Sequence, residues 1–240
     1  MKREQIVGFC WSVADLIRDT FKRGKYQDVI LPLTILRRID CVLEGRKNKV
    51  LEAHAKYEGK LDNLEPLLRK ASGFAFYNTS KYTFDRLLSD HTNLAANLRN
   101  YINGFSDNMR TVFEKFEFDG TLNKLDSGNL LYQVIEKFNS VDMSPEHLSN
   151  HDMGYVFEEL IRKFNESLDE NPGEHYTPRE IIRLMTSLML AGDDSILSKK
   201  NIVRTVYDPC CGTGGMLTIT QDKIKELNPS AEFNIPPKKL

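Results

Sequence analysis

Apolar residues recur at helical spacing through most of this chain, and this pattern constrains its fold more than any other feature. Residues 4–21 carry one such stripe with charges opposite, and a second stripe follows Gln27. Pro32 is predicted in the first turn of that second helix, where a missing amide is harmless. No convincing β-alternating run occurs before residue 200. We therefore expect an all-helical amino-terminal domain over residues 1–142.

The charged residues of this domain are predicted to face solvent. Arg37, Arg38 and Asp40 fall on the polar side of the second helix. The basic run over 46–49 also indicates a solvated face.

Shorter helices and an aromatic core are predicted further along. Asp119-Gly120 is expected to separate two of the helices. The helices are predicted near 61–70, 83–89, 91–103, 107–115 and 128–138. Five phenylalanines are more consistent with a core than with a base-stacking platform: Phe105, Phe113, Phe116, Phe118 and Phe138.

A connecting segment follows the helical domain. Ser144 before Pro145 predicts a helix start, and residues 153–164 continue it as an apolar stripe. Asparagine, proline and glycine then form a loop signature. We predict a connecting helix and loop over 143–173, and the beginning of a second domain over 174–240.

Two motifs in the second domain carry chemistry. In the first, Thr177 and Glu180 have the spacing of a capping box, with Pro178 at the first helical position. The amino terminus of such a helix suits an anion or an electron-rich ligand group. Taken alone, the motif indicates only a well-capped helix.

The second motif is a glycine-rich turn. An apolar run (Ile202, Val203, Val206) ends at Asp208, and a helix-like segment follows the glycines. Strand, tight loop and helix in this order form the layout used for nucleotide-type cofactors. Because glycine lacks a side chain, the backbone of Gly214 can approach a ligand closely.

The residues of this loop favour one cofactor class over two others. A P-loop needs lysine after its last glycine, but Met216 follows Gly215. The G-x-G-x-x-G spacing of dinucleotide sites is also missing. Asp208 would repel a pyrophosphate, whereas a carboxylate complements the ammonium and sulfonium of S-adenosylmethionine. The residues therefore favour that methyl donor.

Both motifs also resemble those of a known family. Residues 208–217 resemble the first cofactor motif of the adenine-specific amino-methyltransferases of DNA, and residues 174–179 resemble the motif that precedes it. Residues 31–40 and 153–164 are similar to the methylase (modification, HsdM-type) subunit of type I restriction–modification systems. The resemblance reaches to about residue 230.

The resemblance implies a mainly α fold. An all-helical amino-terminal domain would precede the truncated start of a doubly wound α/β S-adenosylmethionine-dependent methyltransferase domain. The implied activity is site-specific methylation of adenine N-6 in DNA. A second methylase subunit, a specificity subunit that reads the DNA target and restriction subunits are the implied partners. The net charge of −1 fits a chain that leaves sequence recognition to another subunit.

The resemblance also assigns a cofactor site. Asp208 would hold the methionine amino group, Gly212 and Gly214 would allow close backbone approach, and Tyr176 and Thr177 would pack near the cofactor. The full set is Glu174, His175, Tyr176, Thr177, Pro178, Arg179, Asp208, Pro209, Gly212, Thr213, Gly214 and Gly215.

The catalytic motif of the family is missing from these residues. That motif is Asn- or Asp-Pro-Pro-aromatic, which holds a flipped-out adenine. At Asn234 an isoleucine interrupts the motif, and Lys238 replaces the aromatic. No catalytic residue is therefore assigned. We expect an amino-terminal fragment that folds mainly through its helical domain, binds the cofactor weakly or not at all, and is inactive alone. A lone parallel strand would need the helical domain or another copy of the chain as a partner.

Two alternatives remain open from the sequence. The first is a methyltransferase acting on RNA or protein, and the second is a non-catalytic assembly or DNA-contact module.

Composition predicts a cytoplasmic protein. The cysteines lack the spacing of metal-binding pairs, which predicts reduced thiols and no metal site. No segment approaches the ~20 apolar residues of a membrane span. The amino terminus does not resemble a signal peptide.

Overall fold

The computed structural model describes residues 3–168, 177–192, 197, 199, 203, 205–211 and 214–231. Two units make up the chain, Met1–Glu170 and Asn171–Leu240. The described residues form helices and turns and contain no β-strand. The helices are α1 Arg3–Ile17, α2 Gln27–Leu43, α3 Lys47–Tyr57, α4 Glu65–Ser72, α5 Phe84–Leu88, α6 Leu94–Asn103, α7 Asp107–Lys115, α8 Phe118–Ser127, α9 Leu131–Asn139, α10 Asn150–Ser167, α11 Arg179–Leu190 and α12 Gly215–Leu227.

The first unit has a core of its own, which confirms the helical amino-terminal region. Helix α1 packs against α10, and α2 contacts α1, α8, α9 and α10. Four of the five phenylalanines predicted in the core are buried, and Phe116 packs against them partly exposed. The largest fully buried side chains include Tyr101, Phe84, Phe138 and Phe164.

Two helices were not predicted. Residues 47–57 form α3, where the sequence indicated only a basic run. The second is α8, and the break expected at Asp119-Gly120 is wrong because both residues lie inside this helix. Glycine inside a helix costs about 1 kcal/mol. The burial of Phe118, Leu122 and Leu125 on one side of α8 offsets that cost.

The position predicted for Pro32 is also wrong. Helix α2 begins at Gln27, so Pro32 is its sixth residue and lies beyond the first turn. The missing amide removes a hydrogen bond to the carbonyl of Asp28. The helix continues through this position because Ile30, Leu33 and Leu36 are fully buried.

Arg38 is buried, not exposed as predicted. Only 7% of this residue is accessible, and its guanidinium donates to three acceptors between Met143 and Asn150, the first residue of α10. Nη1 donates to the carbonyls of Met143 and Leu148, the latter at 2.7 Å, and Nη2 donates to Asn150 Oδ1 at 2.8 Å. A planar guanidinium with five N–H groups suits such a set of convergent acceptors.

Arg37, the residue before Arg38, donates hydrogen bonds to two backbone carbonyls at the end of α9 and just after it. Its Nε donates to the carbonyl of Val141 at 2.9 Å, and its Nη2 donates to that of Asn139 at 3.1 Å. Its Nη1 donates to Asp40 Oδ2 at 3.0 Å. The Arg37 guanidinium also lies 5.4 Å from the ring centroid of Phe84.

Asp40 completes this buried polar group, and its predicted exposure is wrong as well. Its Oδ1 accepts from the Tyr101 hydroxyl at 2.6 Å, and its Oδ2 also accepts from the Phe84 amide at 3.3 Å. Burial raises the pKa of the Asp40 carboxyl, against the opposing effects of Tyr101 and Arg37. We call Arg37, Arg38 and Asp40 the α2 polar triad.

The helix start predicted at Ser144 is wrong because the triad holds this segment in another conformation. Residues 145–147 form a turn, and α10 begins at Asn150. Ser149 is the capping residue, since its hydroxyl accepts from the Asp152 amide at 3.1 Å. Helix α10 belongs to the first unit. The loop predicted after it falls mostly outside the described residues.

The basic run at the start of α3 is only partly solvated. Lys47 is 7% exposed, its Nζ donates to Asn78 Oδ1 at 2.8 Å, and it lies 5.1 Å from the ring centroid of Tyr101. Burial lowers the pKa of Lys47 to about 8, and Arg86 adds to the decrease while Asp40 opposes it.

The strand predicted before the glycine-rich turn is not formed at its described residues. Val203 is 92% exposed and Val206 is 42% exposed. A strand requires a neighbouring strand for its backbone hydrogen bonds, and the described residues supply none. Ile202 lies outside the described residues.

Replacing Arg38 should strongly destabilise the first unit. Arg38→Met leaves the buried carbonyls of Met143 and Leu148 without their donor, which costs about 2–4 kcal/mol in total. Urea unfolding followed by Trp11 fluorescence measures the loss, because Trp11 is the chain's one tryptophan and lies against Phe164 in this unit.

Arg18→Met is the matched control, because the Arg18 side chain is 67% exposed. This control should change the free energy of unfolding by less than about 0.5 kcal/mol. Equal losses in both variants would contradict the role assigned to Arg38.

The stability of the first unit should rise with pH through the titration of Lys47. Its folded-state pKa of about 8 lies below the unfolded value of 10.5, so the unfolded state binds more protons between these values. From pH 7 to pH 9, wild type should gain about 1 kcal/mol of unfolding free energy relative to Lys47→Met. The Trp11 unfolding signal measures both proteins, and other titrating groups cancel in the difference. A difference independent of pH would contradict the assignment.

Candidate functional site

The glycine-rich turn leads directly into α12. Gly214 is the residue before the helix and has φ 80° and ψ 17°, the left-handed conformation that favours glycine. Its amide donates to the carbonyl of Cys211 at 2.6 Å, and its carbonyl accepts from the Thr218 amide at 3.0 Å. A Cβ at Gly214 would meet no atom within 4 Å, so the backbone conformation, not crowding, requires glycine.

Asp208 lies at the start of this turn, and its side chain is hydrogen-bonded within it. Its Oδ1 accepts from the Cys210 amide at 3.0 Å, which fixes the orientation of the carboxylate. Asp208 is half-buried, Pro209 is exposed and Gly215 is buried. The remaining two residues predicted in this part of the site, Gly212 and Thr213, lie outside the described residues.

The other motif is only partly described, and its helix begins one residue later than predicted. Arg179 is the first helical residue, and Pro178 precedes it with an extended ψ of 141°. The predicted capping box is wrong, because no side chain caps this terminus. Thr177 and Pro178 are exposed, and Arg179 is 8% exposed. Glu174, His175 and Tyr176 lie outside the described residues.

The two motifs lead into helices that pack against each other. Helix α11 follows the first motif and α12 follows the second. The helices are in contact, with Ile182 and Leu190 of α11 and Ile219 of α12 buried. Neighbouring helices of one unit therefore follow the two motifs. Each helix start presents backbone amides and a partial positive charge.

The cysteines differ in their exposure. Cys10 and Cys41 are buried, Cys211 is half-buried and Cys210 is exposed on the glycine-rich turn. All four are free thiols, and burial raises the pKa of Cys10 to about 11. Within the described ranges, no group of three or more His, Cys, Asp or Glu side chains is placed to hold a metal. The helices of the same ranges include none long and apolar enough to span a membrane.

The sequence interpretation missed an apolar surface on α11. The sequence predicts a helix here, and the structure buries only one side of it. Five large apolar residues of α11 are between 47% and 67% exposed: Ile181, Leu184, Met185, Leu188 and Met189. The signal was present in the sequence, because apolar residues cover more of this helix than a single buried face requires.

Comparisons with known proteins match both parts of the chain. Residues 6–138 match the family described as the HsdM N-terminal domain, and residues 148–235 match the N-6 DNA Methylase family. The second match contains α11, α12 and both candidate motifs.

Curated relatives agree with the family matches. The type I restriction enzyme EcoEI methylase subunit of Escherichia coli is 31% identical over 150 residues, 62% of this chain and 28% of that protein. The MjaIX methylase subunit of Methanocaldococcus jannaschii is 24% identical over 232 residues, 90% of this chain and 39% of that protein. The chain thus spans well under half of either relative. It belongs to the HsdM family of type I restriction enzyme methylase subunits.

Proposed function

We propose that this chain carries the methyl-donor half of a DNA adenine N-6 methyltransferase, and that the donor is S-adenosylmethionine. The observation that carries the proposal is the turn from Asp208 to Gly215. It joins an oriented carboxylate to a left-handed glycine at the start of α12, within the match to the N-6 DNA methylases.

The described residues of the turn fit the chemistry of this cofactor. Opposite charges a few ångströms apart attract, and the half-buried Asp208 carboxylate complements the ammonium of the methionine group. The Cys210 amide restricts the rotation of that carboxylate. Gly214 has no Cβ, so the backbone between Asp208 and α12 can lie against the ligand. The bound cofactor would supply the methyl group from its sulfonium.

The residues before α11 would form the second wall of the site. Thr177 and Pro178 are exposed at the start of this helix, where the backbone amides of its first turn lack intrahelical acceptors. We assign Glu174, His175, Tyr176 and Arg179 to the same wall from the sequence motif.

Methyl transfer would require residues beyond these 240. The Asn/Asp-Pro-Pro-aromatic motif that holds a flipped-out adenine is absent from the sequence. We therefore propose that the chain alone does not methylate DNA. Its first unit would serve assembly with the specificity subunit, a second methylase subunit and restriction subunits, and DNA would be contacted in that complex. The names of the relatives, which are subunits of type I restriction enzymes, support this assignment.

A purely structural role is the second candidate. The helical unit has a hydrophobic core of its own. A chain with this role alone would assemble with partner subunits and would not bind the methyl donor. A measurement of cofactor binding therefore distinguishes the two candidate functions.

Asp208→Asn should reduce labelling of the chain by S-adenosylmethionine. Ultraviolet crosslinking of the tritiated cofactor detects weak binding, and peptide mapping locates the label. We expect label in the peptides that contain residues 174–179 or 208–215, with a roughly tenfold loss in Asp208→Asn, equivalent to about 1.4 kcal/mol. Unlabelled S-adenosylhomocysteine should compete, and ATP should not.

Asp222→Asn is the matched control, because Asp222 is an exposed carboxylate on α12 of the same unit. It should label as wild type does. Label spread over both units, or equal labelling of the two variants, would contradict the proposed site. Saturable micromolar binding of the cofactor in a calorimetric titration would contradict the expected weak affinity.

A further inference from the structure

Two adjacent thiols lie inside the glycine-rich turn, and the proposed function uses neither side chain. Cys210 is exposed and Cys211 is half-buried, so solvent reaches both residues. The Cys210 amide donates to Asp208 Oδ1 at 3.0 Å, and the Cys211 carbonyl accepts from the Gly214 amide at 2.6 Å. The backbone of this pair therefore makes the contacts that shape the turn, and a chemical change at the pair acts on the turn itself.

The other two cysteines are in the opposite situation. Cys10 on α1 and Cys41 on α2 are buried in the core of the first unit. Burial raises the pKa of the Cys10 thiol to about 11 and raises the pKa of Cys41 as well. Because an oxidant reacts with accessible thiolates, these two buried thiols are inert in the folded chain. Oxidation of the folded protein is therefore directed to the turn.

We propose that Cys210 and Cys211 are a reversible oxidation site, and that a disulfide between them switches off the methyl-donor site, a role that rests on the proposed function. Hydrogen peroxide is the oxidant. The exposed Cys210 sulfur attacks one peroxide oxygen, the O–O bond breaks, and a sulfenic acid and one water are formed. The Cys211 sulfur then attacks the sulfenic sulfur, the S–O bond breaks, and the leaving oxygen takes the Cys211 thiol proton to form a second water. The two thiols lose two electrons and two protons, and the peroxide takes up both.

The geometry of adjacent cysteines makes such a disulfide labile, as a reversible switch requires. Neighbouring Cα atoms lie about 3.8 Å apart across a trans peptide, whereas disulfides normally join Cα atoms about 4.4–6.8 Å apart. Closure must therefore distort the peptide between the two residues. Strained, exposed disulfides are readily reduced. A small-molecule thiol restores the two cysteines by exchange and is itself oxidised to a disulfide.

Closure also changes the backbone arrangement that the candidate site uses. A ring through both side chains restricts ψ of Cys210 and φ of Cys211, which orient the Cys210 amide relative to the Cys211 carbonyl. The hydrogen bonds that join these groups to Asp208 and Gly214 depend on that orientation. The Asp208 carboxylate then loses the amide that restricts its rotation. Binding of a cationic ligand at this carboxylate should weaken.

Mass spectrometry of the full 240-residue chain tests the chemistry without any cofactor. A tryptic peptide over residues 205–223 contains Cys210 and Cys211 as its only cysteines. The folded chain is treated with hydrogen peroxide, unfolded and alkylated with iodoacetamide. The peptide should then carry an internal disulfide, whereas Cys10 and Cys41 should be alkylated. Dithiothreitol added before alkylation should restore both thiols of the peptide.

Single replacements separate the roles of the two thiols. Cys211→Ser removes the second thiol and should leave a sulfenic acid at Cys210, which dimedone traps. Cys210→Ser keeps the backbone amide that holds Asp208 but removes the exposed thiol, so it should form neither product. Circular dichroism should show unchanged helix content in both variants, because neither residue lies in a helix.

Labelling by tritiated S-adenosylmethionine measures the consequence for the site. After removal of the peroxide, oxidised wild type should label roughly tenfold less than the reduced chain, because the carboxylate has lost its hydrogen bond. Dithiothreitol should restore the label. Recovery excludes oxidation of Met216 as the cause, because reversal of methionine sulfoxide requires a dedicated reductase. Cys210→Ser should label equally before and after peroxide.

Three results would overturn the oxidation switch: oxidised wild type without the internal disulfide, a disulfide that joins two chains instead, or full labelling of the oxidised form. Absence of label from the reduced wild type would instead contradict the methyl-donor function. The mass of the 205–223 peptide would still show whether the oxidation site exists, so the two proposals fail in distinguishable ways.

Discussion

The α2 polar triad is the constraint on which the first unit depends. Arg37 and Arg38 bind backbone carbonyls about a hundred residues further along the chain, while Asp40 binds the hydroxyl of Tyr101 and the amide of Phe84. Buried charges are expensive unless they are paired and hydrogen-bonded. These charges are retained because the irregular segment before α10 presents carbonyls that no helix satisfies. One turn of α2 thereby fixes the segment that leads to α10.

Much of the first unit was predictable because helix formation follows the local spacing of apolar residues. The errors fall where distant contacts decide the outcome. Arg38 was predicted in solvent from its charge, but its acceptors lie more than a hundred residues away and have no local signature. Asp119-Gly120 was predicted to separate two helices, yet the burial of Leu122 and Leu125 stabilises α8 through Gly120. Local patterns contain no information on such tertiary contacts.

For the candidate site, the sequence predicts a set of residues and a cofactor class, and the structure corrects the start of its first helix. The residues around Asp208 favour one cofactor class, because charge and glycine spacing are themselves chemical requirements. The first residue of α11 was wrong by one position, since proline fits both at and just before a helix start. The strand at Val203 failed for a different reason: strand formation depends on a partner strand, which a single apolar run cannot specify.

Helix α11 links the candidate site to the packing of the second unit. Its start follows the first cofactor motif, one side packs on α12, and its outer side is apolar and exposed. Because a helix that is covered on one side only has little tertiary stabilisation, α11 should open locally more readily than the core helices of the first unit. A cofactor that requires an ordered α11 would bind less tightly to a chain in which this helix opens, and by linkage the bound cofactor would reduce that opening.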